Sequence, residues 1–419
     1  MVMEGGKSLP KDGWYRKYYW ELRKNAWNCA RCSVCKWIDS WEVKSARFAK
    51  ACPSSDRYLF DAYSCQGRMD LSLALIDGEI RYEDSPGLLD VMYRCDTCGG
   101  CDVSCKRVQD MEPLRVMLEM RAKLVEDGQL LPMHTPVMES LRQEDNMVMK
   151  PRAERGKWAD GLKVKDLTRE KAEVVFHAGC RLSYDDDLKQ VARDVINLLN
   201  NIGVDVGTMG AEEACCGGRA YDMGYRGEFT KYAEHNLEAW AKAGVKTVIT
   251  TCSDGYYTFK LLYAEMGSKL EVLHIVEFVD RLIKDGRLRF TKSVPMTVTY
   301  HDPCHLGRRS NVYTAGEPID GIYEPPRDII RAIPGVELVE MERIKEHAWC
   351  CGAGGGVREA YPDFSLWTAR ERIAEARASG ASAIVTACPW CERNFIDAVG
   401  DSGEQIAVYD IMELIERAI

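Results

Sequence analysis

Two short cysteine motifs restrict what the first third of this chain can fold into. The run C-A-R-C-S-V-C occupies residues 29–35, and C-D-T-C-G-G-C occupies residues 95–101. A turn with a cysteine at every third residue can present three thiolates to one metal cluster. A 4Fe-4S cubane has four irons that need terminal thiolates, so each triplet lacks one ligand. Cys52 follows the first triplet, Cys105 follows the second, and both are candidates for the missing ligands.

The pairing of these two extra cysteines follows from folds that hold two clusters, in which the fourth ligand of each cluster comes from the other motif. The predicted ligands of the first cubane are Cys29, Cys32, Cys35 and Cys105. Those of the second cubane are Cys95, Cys98, Cys101 and Cys52. Zinc and disulfides are the alternatives, but a zinc site usually shows C-x-x-C pairs separated by a spacer and not triplets.

The way the cysteines are used also bears on the compartment. The chain has 18 cysteines in 419 residues, and they are grouped at ligand spacings, not spread as a disulfide framework. This usage favours a reducing compartment, so we expect a cytoplasmic protein. The N-terminus shows no apolar signal core, and no stretch approaches the length of about 18 apolar residues that indicates a membrane span. With a net charge of −9 and no basic patch, nucleic acid is not an expected partner.

After residue 170 the sequence repeats itself. V-V-F-H leads to Cys180 in the first copy and V-T-Y-H leads to Cys304 in the second, with a histidine three residues before each cysteine. C-C-G follows at residues 215–217 and 350–352, and apolar runs end at Cys252 and Cys388. Further matches at equal offsets are Gly244 with Gly380, Phe259 with Phe395, and Glu277 with Glu413. Agreement at so many positions predicts two homologous lobes, 171–290 and 291–419.

Each lobe shows the alternation of strands and helices that predicts an α/β unit. Residues 246–251 and 382–387 are short, apolar and rich in β-branched side chains, which is typical of buried parallel strands. Residues 188–199 carry apolar side chains at helical spacing, and Gly203 is the predicted C-terminal cap. Parallel strands would bring the cysteines that follow them to one edge of each sheet, where open α/β folds place their sites.

The first 142 residues differ, because their cysteine motifs are embedded in helical segments such as 108–127, with Pro113 near its start. Residues 143–170 are polar and charged, and we predict a linker there. The predicted fold is therefore α+β overall. A helical, ferredoxin-like domain for two cubanes, 1–142, is followed by the two homologous α/β lobes with parallel sheets.

The second lobe offers more thiols than a cubane or a zinc ion requires. Its five predicted ligands are Cys304, Cys350, Cys351, Cys388 and Cys391. The adjacent pair Cys350 and Cys351 cannot both reach one small tetrahedral ion without strain, but it can reach two irons of a larger centre. An iron–sulfur cluster opened beyond the cubane could use all five thiolates.

The pattern of a cysteine, then C-C-G, then C-x-x-C, duplicated and with H-D-P-C-H at residues 301–305, resembles the CCG-domain family. The resemblance covers nearly the whole chain. This family includes the catalytic subunits of heterodisulfide reductases and the iron–sulfur subunits of glycolate and lactate oxidases. The two-cubane region resembles the small heterodisulfide reductase subunit, fused here as in the D-type subunit. The resemblance implies a non-cubane 4Fe-4S centre on the five cysteines of the second lobe.

The first lobe departs from the family pattern, because Gly255 stands where the second lobe has Cys391. The cysteines that remain in this lobe are Cys180, Cys215, Cys216 and Cys252. Four thiolates can hold a cubane, an altered centre or nothing, so a further cluster here is left open. The missing ligand argues against a disulfide reductase with two equal centres.

Histidines beside the predicted ligands are candidates for proton donation to a reduced sulfur. These are His301 and His305 in the second lobe and His177 in the first, and hydrogen bonding to backbone or to cluster sulfur is the alternative role. Cys65 fits no ligand spacing, and we predict that it is a small buried apolar residue. The glycine-rich run 352–356 lacks the G-x-G-x-x-G spacing of a nucleotide loop, and we expect it to let the backbone approach a cluster.

No flavin or nicotinamide motif accompanies these cysteines, so hydride chemistry requires a partner. The predicted function is that of an iron–sulfur electron-transfer subunit in a larger flavin-dependent oxidoreductase complex. The resemblance implies a flavoprotein partner, similar either to the large flavin subunit (A-type) of soluble heterodisulfide reductases or to an electron-transferring flavoprotein. It also extends to the heterodisulfide-reductase-like subunits of class II benzoyl-CoA reductase complexes. The alternatives are a catalytic disulfide reductase, the iron–sulfur subunit of a glycolate or lactate oxidase, and a non-enzymatic redox sensor or scaffold.

Overall fold

The computed structural model describes residues 22–311, 317 and 320–419. Within that part of the chain, nine strands form two sheets whose paired strands are all parallel. The strands of the first sheet are β1 (Lys165–Asp166), β2 (Val174–Phe176), β3 (Val206–Thr208), β4 (Thr247–Thr250) and β5 (Glu271–His274). Those of the second sheet are β6 (Met296–Tyr300), β7 (Val336–Leu338), β8 (Ala383–Thr386) and β9 (Ala407–Asp410).

The two sheets share one strand order, which is the structural counterpart of the sequence repeat. The first sheet has the order β1-β3-β2-β4-β5, and the second has the order β7-β6-β8-β9. When β1 is set aside, the first order matches the second strand for strand. The prediction of two α/β units with parallel sheets is therefore confirmed.

Helices connect the strands and make up most of the N-terminal region. In that region they span Pro53–Tyr58, Cys65–Asp77, Leu88–Tyr93, Gly100–Gln109, Pro113–Glu126 and Thr135–Glu144. In the first lobe they span Gly179–Tyr184, Lys189–Asn201, Gly218–Asp222, Arg226–Ala243, Ser253–Tyr257, Tyr263–Glu265 and Ile275–Lys284. In the second lobe they span Glu324–Ala332, Val357–Ala360, Pro362–Ala378, Pro389–Ser402 and Ile411–Ala418. Across the residues described, none of the helices combines the length and the apolar character needed to cross a bilayer.

The single helix predicted over 108–127 is wrong at its start, because the structure has two helices there. Gly100–Gln109 ends at Asp110, whose backbone is left-handed with a φ of 53°. The next helix begins at Pro113, which has no N–H to donate to a preceding turn. The break lets the first of these helices carry Cys105 toward the first cysteine motif.

The segment 143–170 connects the N-terminal region to the first lobe and also completes that lobe. Its strand β1 pairs with β3 at the edge of the first sheet. Trp158 is 3% exposed, and its ring lies edge-on to Phe176 at 5.8 Å between centroids. Arg155 is buried and pairs with the buried Glu213 at 2.9 Å. The segment that its polar composition predicts to be a linker therefore contains at least one buried ion pair, which composition alone cannot show.

The residues matched between the repeats make equivalent contacts. Phe259 packs edge-on against His177 at 4.9 Å between ring centroids. Phe395 packs in the same way against His301, at 4.8 Å. The equal offsets in the sequence therefore reflect one packing arrangement that is used twice, at the strand end where each lobe carries its first cysteine.

Candidate metal centres

The two cysteine triplets fold into the same kind of turn. Arg31 and Ser33 have left-handed backbones with φ of 55° and 65°, and Thr97 and Gly99 take the same offsets in the second triplet with φ of 50° and 73°. A non-glycine residue in this conformation costs on the order of 1–3 kcal/mol and usually marks a functional constraint. In each triplet, this turn points three successive thiols into one cavity.

A cavity lies inside the first turn. The cysteines of the first predicted ligand set all line it, and these are Cys29, Cys32, Cys35 and Cys105. Cys105 reaches this cavity from the helix Gly100–Gln109, which follows the second triplet. The structure thus brings one triplet together with a cysteine of the other motif.

A second cavity lies inside the second turn. It is lined by the second predicted ligand set, Cys52, Cys95, Cys98 and Cys101. Cys52 is the N-cap of the helix Pro53–Tyr58, so its position is set where that helix begins. The exchange of fourth cysteines between the two motifs is therefore reciprocal.

The residues of both cavities fit a cluster that thiolates hold. All eighteen cysteines are free thiols, and the four in each cavity surround open space without pairing as disulfides. Soft thiolate ligands select iron–sulfur clusters and zinc over hard cations. The assignment of these ligands to two cubanes remains a prediction, and the geometry supports it.

The third cavity lies beyond the carboxyl ends of β6 and β8. Four of the five predicted cysteines line it, and these are Cys304, Cys351, Cys388 and Cys391. The fifth, Cys350, contacts both Cys304 and Cys351. One ring nitrogen of His301 and the sulfurs of Cys351 and Cys391 lie within 4.8 Å of one another. The structure thus brings all five predicted thiols of the second lobe together.

Two buried arginines contact the histidines of the second lobe. Arg372 Nε donates to His301 Nδ1 at 3.1 Å, so this nitrogen accepts and the ring proton of a neutral His301 lies on Nε2. His305 Nε2 lies 2.6 Å from Arg309 Nη1 and 3.3 Å from Asp222 Oδ2, and its Nδ1 lies 3.1 Å from Asp254 Oδ1 and 3.4 Å from Cys304 Sγ. Against burial and the charge of Arg309, which lower it, the charges of Asp254 and Cys304 and the hydrogen bond to Asp222 raise the pKa of His305 well above its usual value.

The other ring nitrogen of His301, Nε2, faces the cysteines of the second lobe. This nitrogen has no hydrogen-bond partner among the described residues, although it is buried, and the ring interacts with Cys351. His301 therefore directs its N–H toward Cys351, whereas His305 Nδ1 is shared between Cys304 Sγ and the carboxylate of Asp254. A catalytic role for His301 or His305 stays a prediction. In the first lobe, His177 Nε2 instead bonds the backbone oxygen of Ala214 at 3.1 Å.

The glycine-rich run 352–356 brings the second lobe onto the second cysteine triplet. A Cβ added at Gly354 would lie only 2.5 Å from the carbonyl oxygen of Asp96, so no side chain fits between the two backbones. As a result of this approach, Cys98 of the second cavity contacts Cys350 of the third. The glycines therefore let the backbones of two cysteine sites lie against each other, because a glycine has no Cβ to keep them apart.

We expect Gly354→Ala to push the second and third cavities apart. The added methyl group cannot avoid a backbone oxygen, and overpacking of this kind costs about 1–3 kcal/mol. Anaerobic urea unfolding, followed through the visible absorption of the bound clusters, measures this loss of stability.

Gly400→Ala is the matched control, because Gly400 lies in the helix Pro389–Ser402 and its added Cβ meets nothing within 4 Å. Alanine is favoured over glycine in a helix by up to about 1 kcal/mol, so this variant should be neutral or slightly more stable. Equal unfolding midpoints for the two variants would contradict the close approach at Gly354.

The four cysteines of the first lobe divide between two surroundings. Cys180 and Cys215 share one apolar cluster, with Cys216 packed against it. Cys252 instead belongs to an apolar cluster of the second lobe and contacts Cys388. The structure therefore places one predicted first-lobe ligand against a predicted second-lobe ligand.

A buried guanidinium also stands beside the remaining first-lobe thiols. Arg155 Nη1 and Nη2 each lie 3.8 Å from Cys180 Sγ. A hydrogen bond from Cys215 and the charge of Arg155 outweigh burial and lower the pKa of Cys180 to about 5. The same guanidinium pairs with Glu213 at 2.9 Å, so its charge is shared between that carboxylate and the sulfur of Cys180.

The third cavity includes first-lobe side chains that no cysteine spacing predicts. Arg219, Ser253 and Asp254 line it together with the second-lobe cysteines. Ser253 donates to the backbone oxygen of Ala387 at 2.9 Å, and Asp254 lies 3.1 Å from His305 Nδ1. The available signal was the sequence C-S-D-G at residues 252–255, where lost cysteine spacing coincides with new polar side chains.

Two parallel α/β lobes, each with C-C-G and a further cysteine at a strand end, and with a complete C-x-x-C in the second lobe, define a cysteine-rich-domain protein. The family model described as "CCG: Cysteine-rich domain" matches residues 174–260 and 298–396. The D-type subunit of the dihydromethanophenazine:CoB–CoM heterodisulfide reductase from Methanosarcina mazei is 32% identical over 403 residues, which cover 94% of this chain and 93% of that protein. The EtfAB:quinone oxidoreductase of Syntrophomonas wolfei is 30% identical over 354 residues, covering 79% of this chain and 47% of that protein. This chain belongs to the CCG-domain family of iron–sulfur oxidoreductases that includes the D-type subunits of heterodisulfide reductases.

One solved structure shares the fold at low sequence identity. The crystal structure of a hypothetical protein from Helicobacter pylori superposes with a TM-score of 0.56 and 10% identity, covering 84% of this chain and 67% of that chain. At this identity the likeness shows a common fold and carries nothing about function.

Proposed function

We propose that this chain is an iron–sulfur electron-transfer subunit of a flavin-dependent oxidoreductase, with two cubanes that lead to a non-cubane 4Fe-4S centre in the second lobe. When bound, such clusters take up and release electrons at potentials that their surroundings set. The observation that carries the proposal is the continuity of the three cysteine-lined cavities. Cys65 lines both the first and the second, and Cys98 of the second contacts Cys350, which in turn contacts Cys304 and Cys351 of the third.

The exposure of the cysteines differs between the two ends of this row of cavities, and the difference indicates where electrons would enter. Cys32 of the first cavity is exposed, whereas the cysteines of the second lobe are half-buried at Cys304 and buried at Cys350, Cys351, Cys388 and Cys391. Electrons from a partner would therefore enter at the first cavity, where a donor can approach the cysteines. They would finish at the third cavity, where the rings of His301 and His305 lie beside Cys351 and Cys304 and can donate N–H groups that stabilise added negative charge.

An electron-transferring flavoprotein is the donor that we propose. The chain has no flavin or nicotinamide motif of its own, so a flavin that hands over electrons must lie on a partner. The name of the relative from Syntrophomonas wolfei includes such a flavoprotein, EtfAB, as the species that it oxidises. That relationship supports the choice of donor for this chain.

For the first lobe, we propose a structural role without a cluster. Cys252 contacts Cys388 of the second lobe, away from the apolar cluster that Cys180 and Cys215 share, and the buried guanidinium of Arg155 lies 3.8 Å from Cys180 Sγ. Arg219, Ser253 and Asp254 instead line the third cavity. The lobe that lacks one cysteine would thus close the site of the lobe that has all five.

Anaerobic mixing with a photoreduced electron-transferring flavoprotein tests the proposed function. We expect reoxidation of the flavin together with bleaching of the visible iron–sulfur absorption, and uptake of about three electrons per chain, one for each proposed centre. Reduction by dithionite but not by the flavoprotein or by reduced free flavin would contradict the proposed donor. A chain that releases thiols from added disulfides with dithionite alone would favour the alternative of a catalytic disulfide reductase.

A further inference from the structure

Cys65 occupies a place that neither cysteine motif accounts for. Among the described residues, it is the one side chain that lines both the first and the second cavity. It is 5% exposed and is the first residue of the helix Cys65–Asp77. A residue that only filled the apolar core would have no reason to face two sets of predicted ligands.

The contacts of Cys65 are with one predicted ligand from each set. Its thiol lies close enough to the sulfurs of Cys35 and Cys101 for the three groups to influence one another's protonation. Cys35 belongs to the first cavity and Cys101 to the second. Cys65 therefore stands between the two sites and touches both.

The start of the helix holds Cys65 in this position. Ser64 caps the helix by accepting from the N–H of Gly67 at 3.3 Å. An added Cβ at Gly67 would lie 2.1 Å from the oxygen of Asp61, so the chain packs too closely there to shift. Arg68, one turn into the helix and 1% exposed, donates to Ser54 Oγ at 2.8 Å beside the second cavity. A shift of Cys65 would therefore disturb the Ser64 cap, the close packing at Gly67 and the Arg68 hydrogen bond together.

We propose that Cys65 is a positioning residue that links the two cubanes, donating its S–H to a ligand sulfur of one or the other while it ligates neither. Each cavity already has four cysteines without Cys65, which is the full set that a cubane needs. A hydrogen bond to a ligand sulfur is one of the factors that set a cluster's reduction potential, because it stabilises the more negative reduced form. A thiol has one proton, so rotation about its Cβ–Sγ bond decides which of the two sulfurs receives it.

The test compares Cys65→Ala, which removes the donor, with Cys65→Ser, which keeps a donor of similar size. Both full-length variants are purified without air and titrated potentiometrically, with electron paramagnetic resonance as the readout. For Cys65→Ala we expect at least one cubane to become harder to reduce, with about a tenfold change in its oxidised-to-reduced ratio, or 59 mV for one electron. We expect Cys65→Ser to retain most of the wild-type potential, and the iron content to be equal in all three proteins.

Two results would overturn this inference. Equal potentials in all three proteins would mean that Cys65 only packs, and a loss of about four irons in Cys65→Ala would mean that it is a ligand. The inference rests on the proposed function, since it requires the two cubanes. The two failures are distinguishable: a wild-type chain without iron contradicts the proposed function, whereas normal iron with unchanged potentials contradicts only the role of Cys65.

Discussion

Cys391→Ser is expected to remove about four irons from the anaerobically purified chain and to leave those of the two cubanes in place. Cys391 is 4% exposed and contacts both Cys351 and Cys388, so its sulfur lies among the other predicted ligands. A serine hydroxyl is a harder and less acidic ligand than a thiol, and iron–sulfur clusters select soft thiolates. Electrons from the reduced flavoprotein should then stop at the cubanes, and uptake should fall from about three to about two per chain.

Cys216→Ser in the first lobe is the matched control for this variant. Cys216 holds the second position of the C-C-G motif in the lobe for which we propose no cluster. Its replacement should leave iron content and electron uptake unchanged. Equal losses in the two variants would contradict the assignment of the non-cubane centre to the second lobe.

Cys98→Ser is the other variant with a large expected effect, because it cuts the row of cavities in the middle. Cys98 lines the second cavity and contacts Cys350 of the third. We expect the loss of the second cubane, about four irons, while the first cubane is still reduced by the flavoprotein. The second-lobe centre should remain oxidised on the timescale of wild-type reduction, as rapid-freeze electron paramagnetic resonance can measure.

Direct chemical reduction supplies the control for Cys98→Ser. A small reductant that reaches the third cavity by itself should still reduce the second-lobe centre in this variant, which shows that the centre is assembled. Rapid reduction of that centre by the flavoprotein in Cys98→Ser would contradict the proposed order of the three sites.

The parts of this structure that could be predicted are those in which the sequence repeats a pattern. The two triplets repeat a spacing, and the structure gives both the same left-handed turns, at Arg31 and Ser33 and at Thr97 and Gly99. The matched offsets of the two lobes predict one topology used twice, and the sheets share one strand order. A repeated pattern is informative because two segments with the same spacing are expected to adopt the same local structure.

The features that could not be predicted depend on contacts between segments that share no pattern. Cys65 has no cysteine partner at a ligand spacing, so its place between two cavities follows only from the packing of its helix. The contact of Cys252 with Cys388 depends on how the two lobes meet, which a repeat within each lobe does not determine. In the sequence, Arg155 looks like a solvent-exposed charge in a linker. In the structure it is buried, with Glu213 and Cys180 as neighbours.

Iron and acid-labile sulfide content of the full chain purified without air, combined with electron paramagnetic resonance of the reduced protein, tests most directly whether three clusters lie along this polypeptide. We expect about twelve irons and about twelve sulfides per chain, with signals from two cubanes and from one centre of different type. About sixteen irons would contradict the role proposed for the first lobe, and about eight would remove the second-lobe centre. A well-folded chain that holds zinc or no metal at these cysteines would contradict the proposed electron path as a whole.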